Sequence, residues 1–363
     1  MKKIESFFKN KKIIITGHTG FKGSWLTLWL NILGAKIIGI SNNIPSNPSH
    51  FEKLKLKKKI IDLNLDIRNM VNLKKTFKKY QPDFVFHLAA QSLVKKSYEE
   101  PVNTFSTNTI GTMQILEALR VIKKKCSAVI ITSDKSYKNL EIKRGYHEND
   151  LLGGKDPYSA SKAAAELIIQ SYVNSYFKDN KINIAVARAG NVIGGGDWSR
   201  DRLIPDCVKA WSQNKKVIIR NPRSTRPWQH VLEAIRGYLV LAINLDNNNK
   251  LNGEVFNFGP TFSQDKNVIS LISEMKKHWN KVFWKVKIRK FDLYESKLLR
   301  LSSKKAKKVL HWEPALKFNE TIKMTTNWYK NYYDKKNDIF KFSKEQIEKY
   351  SLKIKPLKIK KNK

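Results

Sequence analysis

Short apolar runs alternate with amphipathic stretches through the first half of the chain. The β-branched run 12–16 predicts a buried strand, and the stretch 24–33 predicts a helix that ends before Gly34, a good helix C-cap residue. The same pattern predicts strands at 35–40, 60–66, 84–88, 128–132 and 184–187, with helical periodicity between them. Strands that alternate with helices indicate an α/β fold whose parallel sheet is covered by helices on both faces.

The pattern changes after about residue 189. Glycines at 194–196 and prolines at 205, 222, 227 and 260 divide the chain into short elements. We therefore predict a first domain at 1–188, completed by later segments around 217–260, and a smaller α/β substrate-binding lobe at 189–330. The segment 335–363 holds eleven lysines and is expected to be a frayed, solvated tail.

The charge balance is strongly basic, with 70 Lys and Arg against 31 Asp and Glu and a net charge of +39. Only 12 of the basic residues are Arg, whereas proteins that read nucleic acids depend on bidentate Arg contacts. The excess follows a general richness in Lys, Asn and Ile, so we expect no specific nucleic-acid partner. Non-specific binding to polyanions is expected at low salt.

The chain offers little for membrane targeting or for metal binding. No apolar run reaches the roughly 18 residues of a membrane span, and only three isoleucines follow the basic N-terminus before a glycine. We expect a cytoplasmic protein without a membrane partner. Two cysteines, Cys126 and Cys207, exclude a disulfide scaffold and a four-cysteine metal site, and no metal is expected.

A glycine-rich turn follows the first predicted strand, with glycines at 17, 20 and 23. Glycine permits a tight turn and a close backbone approach to a pyrophosphate, and the helix N-terminus that Phe21 opens adds unpaired N–H groups. The position between strand and helix predicts a Rossmann-type doubly wound sheet that binds a dinucleotide. His18 and Lys22 are expected only to shape this turn.

The second strand carries no clear signal for the ribose of the cofactor. Residues 40–43 (ISNN) contain no carboxylate, so the usual acid on the ribose hydroxyls is missing. The absence of an Arg there favours NAD over NADP. Asp66 either accepts from the adenine amino group or caps a helix, and the sequence leaves both open.

Tyr158 and Lys162 form a Tyr-x-x-x-Lys pair that would share one face of a helix begun by Pro157. An ammonium group lowers the pKa of a nearby phenol, which could then act as a base toward a sugar hydroxyl. In a chain with 13 Tyr and 58 Lys, about two such pairs are expected by chance. The pair therefore indicates a catalytic site only in combination with the other polar residues predicted to lie near it.

Such residues form a polar cluster at Ser133, Asp134 and Lys135, directly after the β-branched run at 128–132. Side chains at the carboxyl end of a central parallel strand face the ligand crevice. Ser133 can hydrogen-bond a hydroxyl, while Asp134 and Lys135 offer an acid and a base side by side. The cluster therefore predicts a catalytic site shared with Tyr158 and Lys162.

With these motifs the chain resembles the extended short-chain dehydrogenases/reductases that act on nucleotide sugars, and among them the CDP-glucose 4,6-dehydratases. The resemblance runs from about residue 12 to 329. Its segments are 16–25 (TGHTGFKGSW), 87–92 (HLAAQS), 132–137 (TSDKSY), 152–162 (LGGKDPYSASK), 187–198 (ARAGNVIGGGDW), 201–205 (DRLIP) and 220–233 (RNPRSTRPWQHVLE). The SDK triplet at 133–135, the GGGDW stretch at 194–198 and the TRPWQHVLE stretch at 225–233 are typical of this dehydratase group.

The resemblance implies an internal oxidation and reduction with bound NAD. Tyr158, helped by Lys162, would take the proton of the glucose 4-hydroxyl while hydride leaves carbon 4. Lys135 stands where sister dehydratases carry Glu and would take the carbon-5 proton, and Asp134 would protonate the departing 6-hydroxyl. Ser133 would hydrogen-bond the 4-oxygen, and hydride would return to carbon 6 to give CDP-4-keto-6-deoxyglucose.

The resemblance also implies the binding residues and the biological setting. The substrate CDP-glucose would lie near Asn191, Arg202, Arg220 and Arg226, since guanidinium groups suit a pyrophosphate. Trp198 and Trp228 would either stack on the substrate or pack in the core. A homodimer or tetramer and a role in deoxysugar and lipopolysaccharide O-antigen biosynthesis are expected. The cofactor would contact Gly17, Gly20, Phe21, Gly23, Asp66, Ala89, Ala90, Tyr158 and Lys162.

Two alternatives stay open at this point. The first is a sibling enzyme, either a dehydratase for another nucleotide or an epimerase, although an epimerase needs neither a carbon-5 base nor an acid for the 6-oxygen. The second is a non-catalytic protein that binds NAD or polyanions. The presence of Tyr158, Lys162, Asp134 and Lys135 argues against it.

Overall fold

The computed structural model describes residues 2–178, 181–261, 265–287, 299–335 and 337–355. Its strands are β1 Lys12–Thr16, β2 Lys36–Ser41, β3 Ile61–Asn64, β4 Phe84–His87, β5 Cys126–Ile131, β6 Ile182–Ala189, β7 Val192–Ile193, β8 Val217–Ile219, β9 Thr225–Pro227, β10 Gln229–His230, β11 Val255–Phe258, β12 Asp265–Asn267 and β13 Trp284–Val286.

The helices of the described residues are α1 Lys2–Phe8, α2 Phe21–Ile32, α3 His50–Lys53, α4 Met70–Tyr80, α5 Val94–Glu99, α6 Pro101–Phe105, α7 Gly111–Leu119, α8 Pro157–Tyr176, α9 Leu203–Ser212, α10 Val231–Asn247, α11 Val268–Lys276, α12 Lys304–Leu310, α13 Phe318–Tyr333 and α14 Ile339–Lys353. Short 3-10 turns lie at Leu56–Lys59, Asp134–Ser136 and Asn249–Leu251, and a π-helical turn at Ser106–Ile110 joins α6 to α7.

A seven-stranded parallel sheet forms the centre, with strand order β3-β2-β1-β4-β5-β6-β11. The chain runs outward from β1 to β3 and then returns to place β4 on the other side of β1. The strand order therefore reverses between β1 and β4, which is where open α/β sheets bind ligands. The predicted doubly wound α/β fold is confirmed.

Alternation of the side chains along β1 gives the sheet two apolar faces. Ile13 and Ile15 belong to one buried cluster and Ile14 to another, because successive side chains of a strand point to opposite faces. Helices α2 and α10 cover the first face, and α4, α7 and α8 cover the second. Both faces are thus buried, as the continuous apolar run predicted.

The second half of the chain adds smaller pairings around this sheet. β7 pairs with β10, β8 with β13 and β9 with β12, while β11 returns to pair with β6 at the edge of the main sheet. The proposed domain limits at 1–188 and 189–330 stay a prediction. Among the described residues, no helix is both long and apolar enough to cross a bilayer.

The C-terminal segment differs from the expected solvated tail. Residues 339–353 form α14, and Ser343, Gln346, Ile347, Tyr350 and Ser351 are buried at helical spacing. The expectation was wrong because the count of lysines concealed an apolar face: the lysines of α14 lie on its other sides. Residues 356–363 of the predicted tail lie outside the described residues.

One buried carboxylate attaches this helix to the core. Glu233, on α10, accepts hydrogen bonds from the backbone N–H groups of Ala315 and Leu316, both at 2.7 Å, and from the Tyr350 hydroxyl at 2.7 Å. The Tyr350 ring also contacts Trp29 edge-on, with ring centroids 5.8 Å apart. A buried carboxylate needs such donors, so Glu233 ties the C-terminal segments to the sheet domain.

Replacement of Tyr350 tests this attachment. Tyr350→Ala removes a fully buried ring and leaves one oxygen of Glu233 without its donor, so the free energy of unfolding should fall by about 3–5 kcal/mol. Thermal melts followed by circular dichroism measure the effect. Lys349→Ala, on the exposed side of α14, is the control and should leave the melt unchanged. An equal melt for both variants would mean that α14 is not part of the core.

Candidate active site

Two glycines of the turn after β1 are required by the packing of the backbone. Gly17 has a φ of +72°, and a Cβ there would lie 2.7 Å from the amide nitrogen of Ala89. A Cβ on Gly23 would lie 2.0 Å from the carbonyl oxygen of Gly17. Only glycine permits this close approach of the turn, the first turn of α2 and the segment after β4.

Gly20 differs, because a Cβ there would meet nothing closer than the Gly17 oxygen at 3.4 Å. Gly20 caps α2 without a side-chain hydrogen bond, so the helix N-terminus faces an open cradle. Such a cradle suits a phosphate, which the N–H groups and the helix dipole favour. Phe21 begins α2, and the backbone of Ala89, which Ala90 follows, lies directly against Gly17 of the turn. The residues present therefore fit a dinucleotide.

Asp66 lies beyond β3 and does not cap a helix, because Asn69 caps α4. Its carboxylate accepts hydrogen bonds from Arg68 Nη2 at 2.6 Å and from Asn42 Nδ2 at 2.9 Å. The hydrogen bond from Arg68 lowers the pKa of Asp66 to about 2. The helix-cap alternative is thus wrong. A contact of Asp66 with the adenine amino group stays a prediction.

The Ser133–Asp134–Lys135 triplet forms a 3-10 turn at the carboxyl end of β5. Ser133 caps the turn by accepting from the Lys135 N–H at 3.2 Å, and its hydroxyl donates to Asp134 Oδ1 at 3.0 Å. Asp134 is only 5% exposed, and burial raises the pKa of its carboxyl. A Cβ on Gly190 would lie 3.1 Å from Asp134 Oδ2, so this glycine leaves room for the acid.

Tyr158 meets this triplet from α8. Pro157 opens that helix and Asp156 caps it, accepting from the Ser159 N–H at 2.9 Å. The phenol of Tyr158 lies close enough to the triplet for Ser133 to lower its pKa and for the charge of Asp134 to raise it. Burial raises the pKa of Tyr158, and the groups that oppose this rise in the ligand-free chain are Ser133 and Arg202 rather than the expected Lys162. The structure nevertheless brings Tyr158, Ser133 and Asp134 together.

Two buried ammonium groups face the same space. Burial lowers the pKa of Lys162 to about 8, and Lys22 adds to the shift by repulsion. Burial and the charge of Arg202 lower the pKa of Lys22 to about 8, while Asp134 and Asp197 oppose the shift. Lys22 was expected only to shape the turn, and that expectation missed its place in the site. The available signal was a Lys in the first turn of the helix that borders the crevice.

His18, the other polar residue of the turn, has a structural role. Its Nε2 lies 2.8 Å from Asp62 Oδ1 of β3. A Cβ on Gly39 would lie 2.5 Å from the His18 ring, so the ring packs directly on β2. His18 thus holds the glycine turn against the sheet, as expected.

The substrate-lobe candidates lie at different distances from this cluster. Arg202 pairs with the buried Asp197 at 3.1 Å, and its charge acts on both Lys22 and Tyr158. Asn191 is exposed and follows Gly190, which contacts Asp134. Arg220 is exposed after β8 and Arg226 is partly buried in β9. Substrate contacts by these four residues stay predictions.

In the GGGDW segment at 194–198, the glycines and the tryptophan pack against other aromatic side chains of the core. A Cβ on Gly195 would overlap the Trp328 ring at 1.9 Å, and one on Gly196 would lie 2.5 Å from His50. Trp198 packs edge-on against Tyr332, with ring centroids 4.9 Å apart. Trp228 is also buried, with its indole N–H donated to the Lys266 carbonyl at 2.8 Å. These contacts favour the core role for both tryptophans.

Comparison with known proteins agrees with this geometry. The GDP-mannose 4,6 dehydratase family model matches residues 14–325. The CDP-glucose 4,6-dehydratase of Salmonella typhimurium is 41% identical over 352 residues, which cover 95% of this chain and 98% of that protein. Epimerase Mth375 of Methanothermobacter thermautotrophicus has a TM-score of 0.78 at 25% identity, covering 93% of this chain and 97% of that chain. The UDP-glucuronic acid 4-epimerase of Bacillus cereus, solved with UDP-glucuronic acid and NAD, has a TM-score of 0.76 at 25% identity, with coverages of 89% and 100%.

Neutralising Asp134 should separate stability from activity. The pKa of Asp134 is higher in the folded chain than in the unfolded chain. At a pH above the ordinary pKa of an Asp carboxyl, ionisation of Asp134 therefore favours the unfolded chain and lowers stability. Asp134→Asn should therefore raise the melting temperature, and more at pH 8 than at pH 4. The same variant lacks the acid and should lower kcat by about 100-fold or more. A variant that melts lower at pH 8 than the unsubstituted chain would contradict the burial of this charge.

Proposed function

The chain belongs to the GDP-mannose 4,6 dehydratase family, and on that premise we propose that it dehydrates CDP-glucose to CDP-4-keto-6-deoxyglucose with NAD as its cofactor. The observation that carries the proposal is the buried cluster at the carboxyl end of β5, in which the Asp134 carboxyl accepts from Ser133 and both residues act on the pKa of the Tyr158 phenol. A base, a hydroxyl donor and an acid thus meet beside a cradle for a dinucleotide. An oxidation followed by loss of water needs these groups.

The cofactor would lie on the glycine turn, with its pyrophosphate at the N-terminus of α2 and its adenine toward Asp66. NAD, when bound, supplies the acceptor for the hydride of carbon 4 and the hydride that returns to carbon 6, and its cationic ring favours ionisation of a nearby phenol. The substrate pyrophosphate would lie toward Arg202, Arg220 and Arg226, beside Asn191.

Tyr158 and its neighbours act on the 4-hydroxyl group. The phenolate of Tyr158 accepts the proton of that hydroxyl, and the Lys162 ammonium favours the phenolate form. The Ser133 hydroxyl donates to Asp134 in the ligand-free chain and would turn to donate a hydrogen bond to the 4-oxygen when the substrate is bound. Together these groups would hold the 4-hydroxyl in place for transfer of its proton to Tyr158.

Asp134 and Lys135 act in the elimination. A ketone at carbon 4 acidifies the proton on carbon 5, which a neutral Lys135 amine accepts. Asp134 gives its proton to the 6-hydroxyl, which leaves as water, and burial favours the protonated carboxyl that this step needs. When carbon 6 has been reduced, the Lys135 ammonium returns its proton to carbon 5. The proton that Tyr158 took from the 4-hydroxyl then passes to the Asp134 carboxylate, which restores the phenolate and the acid.

We also propose a homodimer, a cytoplasmic location and a place in deoxysugar and O-antigen biosynthesis. Two adjacent helical elements on one face of the sheet expose large apolar side chains: Val102 is 81% exposed on α6, and Leu167 is 57% exposed on α8. Ile110, on the π-helical turn between α6 and α7, adds to this face. Exposed apolar patches of this kind mark protein interfaces. The two buried free cysteines suit a reducing compartment.

Turnover with a panel of nucleotide sugars tests the activity. The purified chain with NAD and CDP-glucose should form a 4-keto-6-deoxy sugar, detected by its absorbance in alkali and by NMR. UDP-, GDP- and dTDP-glucose should react at least about tenfold more slowly, since a missing base contact costs about that much. Tyr158→Phe is the control: it should abolish turnover and retain NAD.

Other results of this panel would identify the alternatives. Faster turnover of another nucleotide-glucose would assign the chain to a sibling dehydratase, and inversion at carbon 4 without loss of water would assign it to an epimerase. Failure with every sugar would favour a non-catalytic binding protein. Near-normal turnover by Tyr158→Phe would exclude the phenol as the base.

Sedimentation tests the proposed dimer. The unsubstituted chain should sediment as a dimer in 0.5 M salt, where non-specific contacts of the basic surface are screened. Val102→Asp with Leu167→Asp should convert it to a monomer that melts at a similar temperature, because both side chains are exposed in the single chain. If the unsubstituted chain sediments as a monomer, the proposed dimer does not exist. If the double variant still sediments as a dimer, the interface lies on another surface.

A further inference from the structure

A buried ion pair that the proposed chemistry does not use lies behind the Ser133–Asp134–Lys135 turn. Arg188 on β6 and Glu166 on α8 are each only 1% exposed in their side chains. Arg188 Nε lies 2.9 Å from both oxygens of Glu166, and its Nη2 donates to the same carboxylate. Such a pair is costly to bury, and a fold can replace it with apolar residues without loss of stability. Stability alone therefore does not explain why this ion pair lies beside the site.

The pair holds both ends of the 132–137 loop, which carries the catalytic triplet. At the first end, the Thr132 hydroxyl donates to Glu166 Oε1 at 2.6 Å. At the other end, the guanidinium of Arg188 stacks on the Tyr137 ring, 4.4 Å from its centroid. Ser133, Asp134 and Lys135 lie between these two contacts. The position of the triplet thus depends on one carboxylate and one guanidinium.

The Tyr137 end is fixed further by its own neighbours. The Tyr137 hydroxyl donates to Asn257 Oδ1 at 2.9 Å, and its ring stacks on Tyr146 with centroids 5.0 Å apart. Arg188 Nη1 also donates to the Glu148 carbonyl at 3.1 Å. The guanidinium therefore cannot move without displacing the loop, because its planar fork is held from three sides.

The same carboxylate acts on the catalytic helix. Glu166 follows Lys162 by four residues and Tyr158 by eight, so the three share one face of α8. Its charge opposes the fall in the pKa of Lys162 that burial and Lys22 cause. The charged and titratable groups that face Lys162 are Lys22 from α2, His87 from β4 and Glu166 from its own helix.

We infer that the Glu166–Arg188 pair is a positioning device that couples the two halves of the catalytic site. Its carboxylate holds the 132–137 loop through Thr132 and keeps the Lys162 ammonium charged, and its guanidinium holds the loop through Tyr137. Glu166 and Arg188 are positioning residues in this arrangement, because both side chains are buried and their hydrogen bonds are made with protein groups. This inference rests on the proposed function, because it assigns the pair to the same site.

Removal of both charges tests the inference without leaving one of them unpaired. Glu166→Gln with Arg188→Met keeps the volume of the pair and should fold, since buried pairs tolerate such replacement. Its kcat for CDP-glucose should fall on the order of 100-fold, because a loop displaced by about 1 Å costs that much, while KM changes less than about threefold. Thr132→Val, which keeps both charges, should lower kcat by roughly tenfold.

The second readout does not need turnover. Lysines labelled with ¹³C at the ε-carbon are titrated by NMR, and the Lys162 signal is assigned by its loss in Lys162→Arg. In the double variant the pKa of Lys162 should fall by about one unit, whereas in Thr132→Val it should stay as in the unsubstituted chain.

Glu233→Gln is the matched control, because Glu233 is an equally buried carboxylate beside Arg236 and belongs to the C-terminal attachment. It should lower the melting temperature and leave kcat and the Lys162 titration unchanged. A double variant with wild-type kcat, or with an unchanged Lys162 titration, would overturn the inference. No turnover by the unsubstituted chain would instead contradict the proposed function, and the titration would still decide whether Glu166 acts on Lys162.

Discussion

Removal of ionisable groups from water is the constraint on which this site depends. Asp134, Tyr158 and Lys162 are all buried at the carboxyl edge of the sheet, and burial moves the pKa of each toward its neutral form. The carboxyl therefore holds its proton more firmly than an exposed Asp does, and the ammonium holds its proton less firmly than an exposed Lys does. The strand order creates this environment, because the chain leaves the paired strands β1 and β4 toward opposite faces of the sheet, to α2 on one face and α7 on the other.

The sequence predicted the features that depend on local patterns. The alternation of β1, the glycine turn and the polar turn after β5 each lie within a few residues, and each is found in the structure. Lys22, by contrast, belongs to the site only because the second half of the chain brings Asp197 and Arg202 beside α2. The C-terminal helix was missed for a similar reason, since its apolar face has meaning only against Glu233 and α10. Contacts between distant segments cannot be read from composition.

The glycines of these motifs have two different structural roles, and the sequence alone does not distinguish between them. Gly17 and Gly195 are both fixed by neighbouring protein atoms, whereas Gly20 leaves a space that the protein does not fill. The first kind preserves the fold and the second kind leaves room for a ligand. A motif match alone therefore identifies the architecture, and the empty volume beside a glycine indicates which positions face a bound molecule.

The attachment of α14 has a consequence for the synthesis of the protein. Glu233 and Tyr350 are 117 residues apart in the chain. The other two donors to the Glu233 carboxylate, the backbone N–H groups of Ala315 and Leu316, are also synthesised long after Glu233. While the ribosome is still translating that interval, six strands of the sheet precede Glu233 and β11 is added at 255–258, but the carboxylate still lacks these three donors. Nascent chains therefore expose the apolar side chains that α14 later covers, such as Trp29, and a chaperone that recognises uncovered hydrophobic surface would bind them.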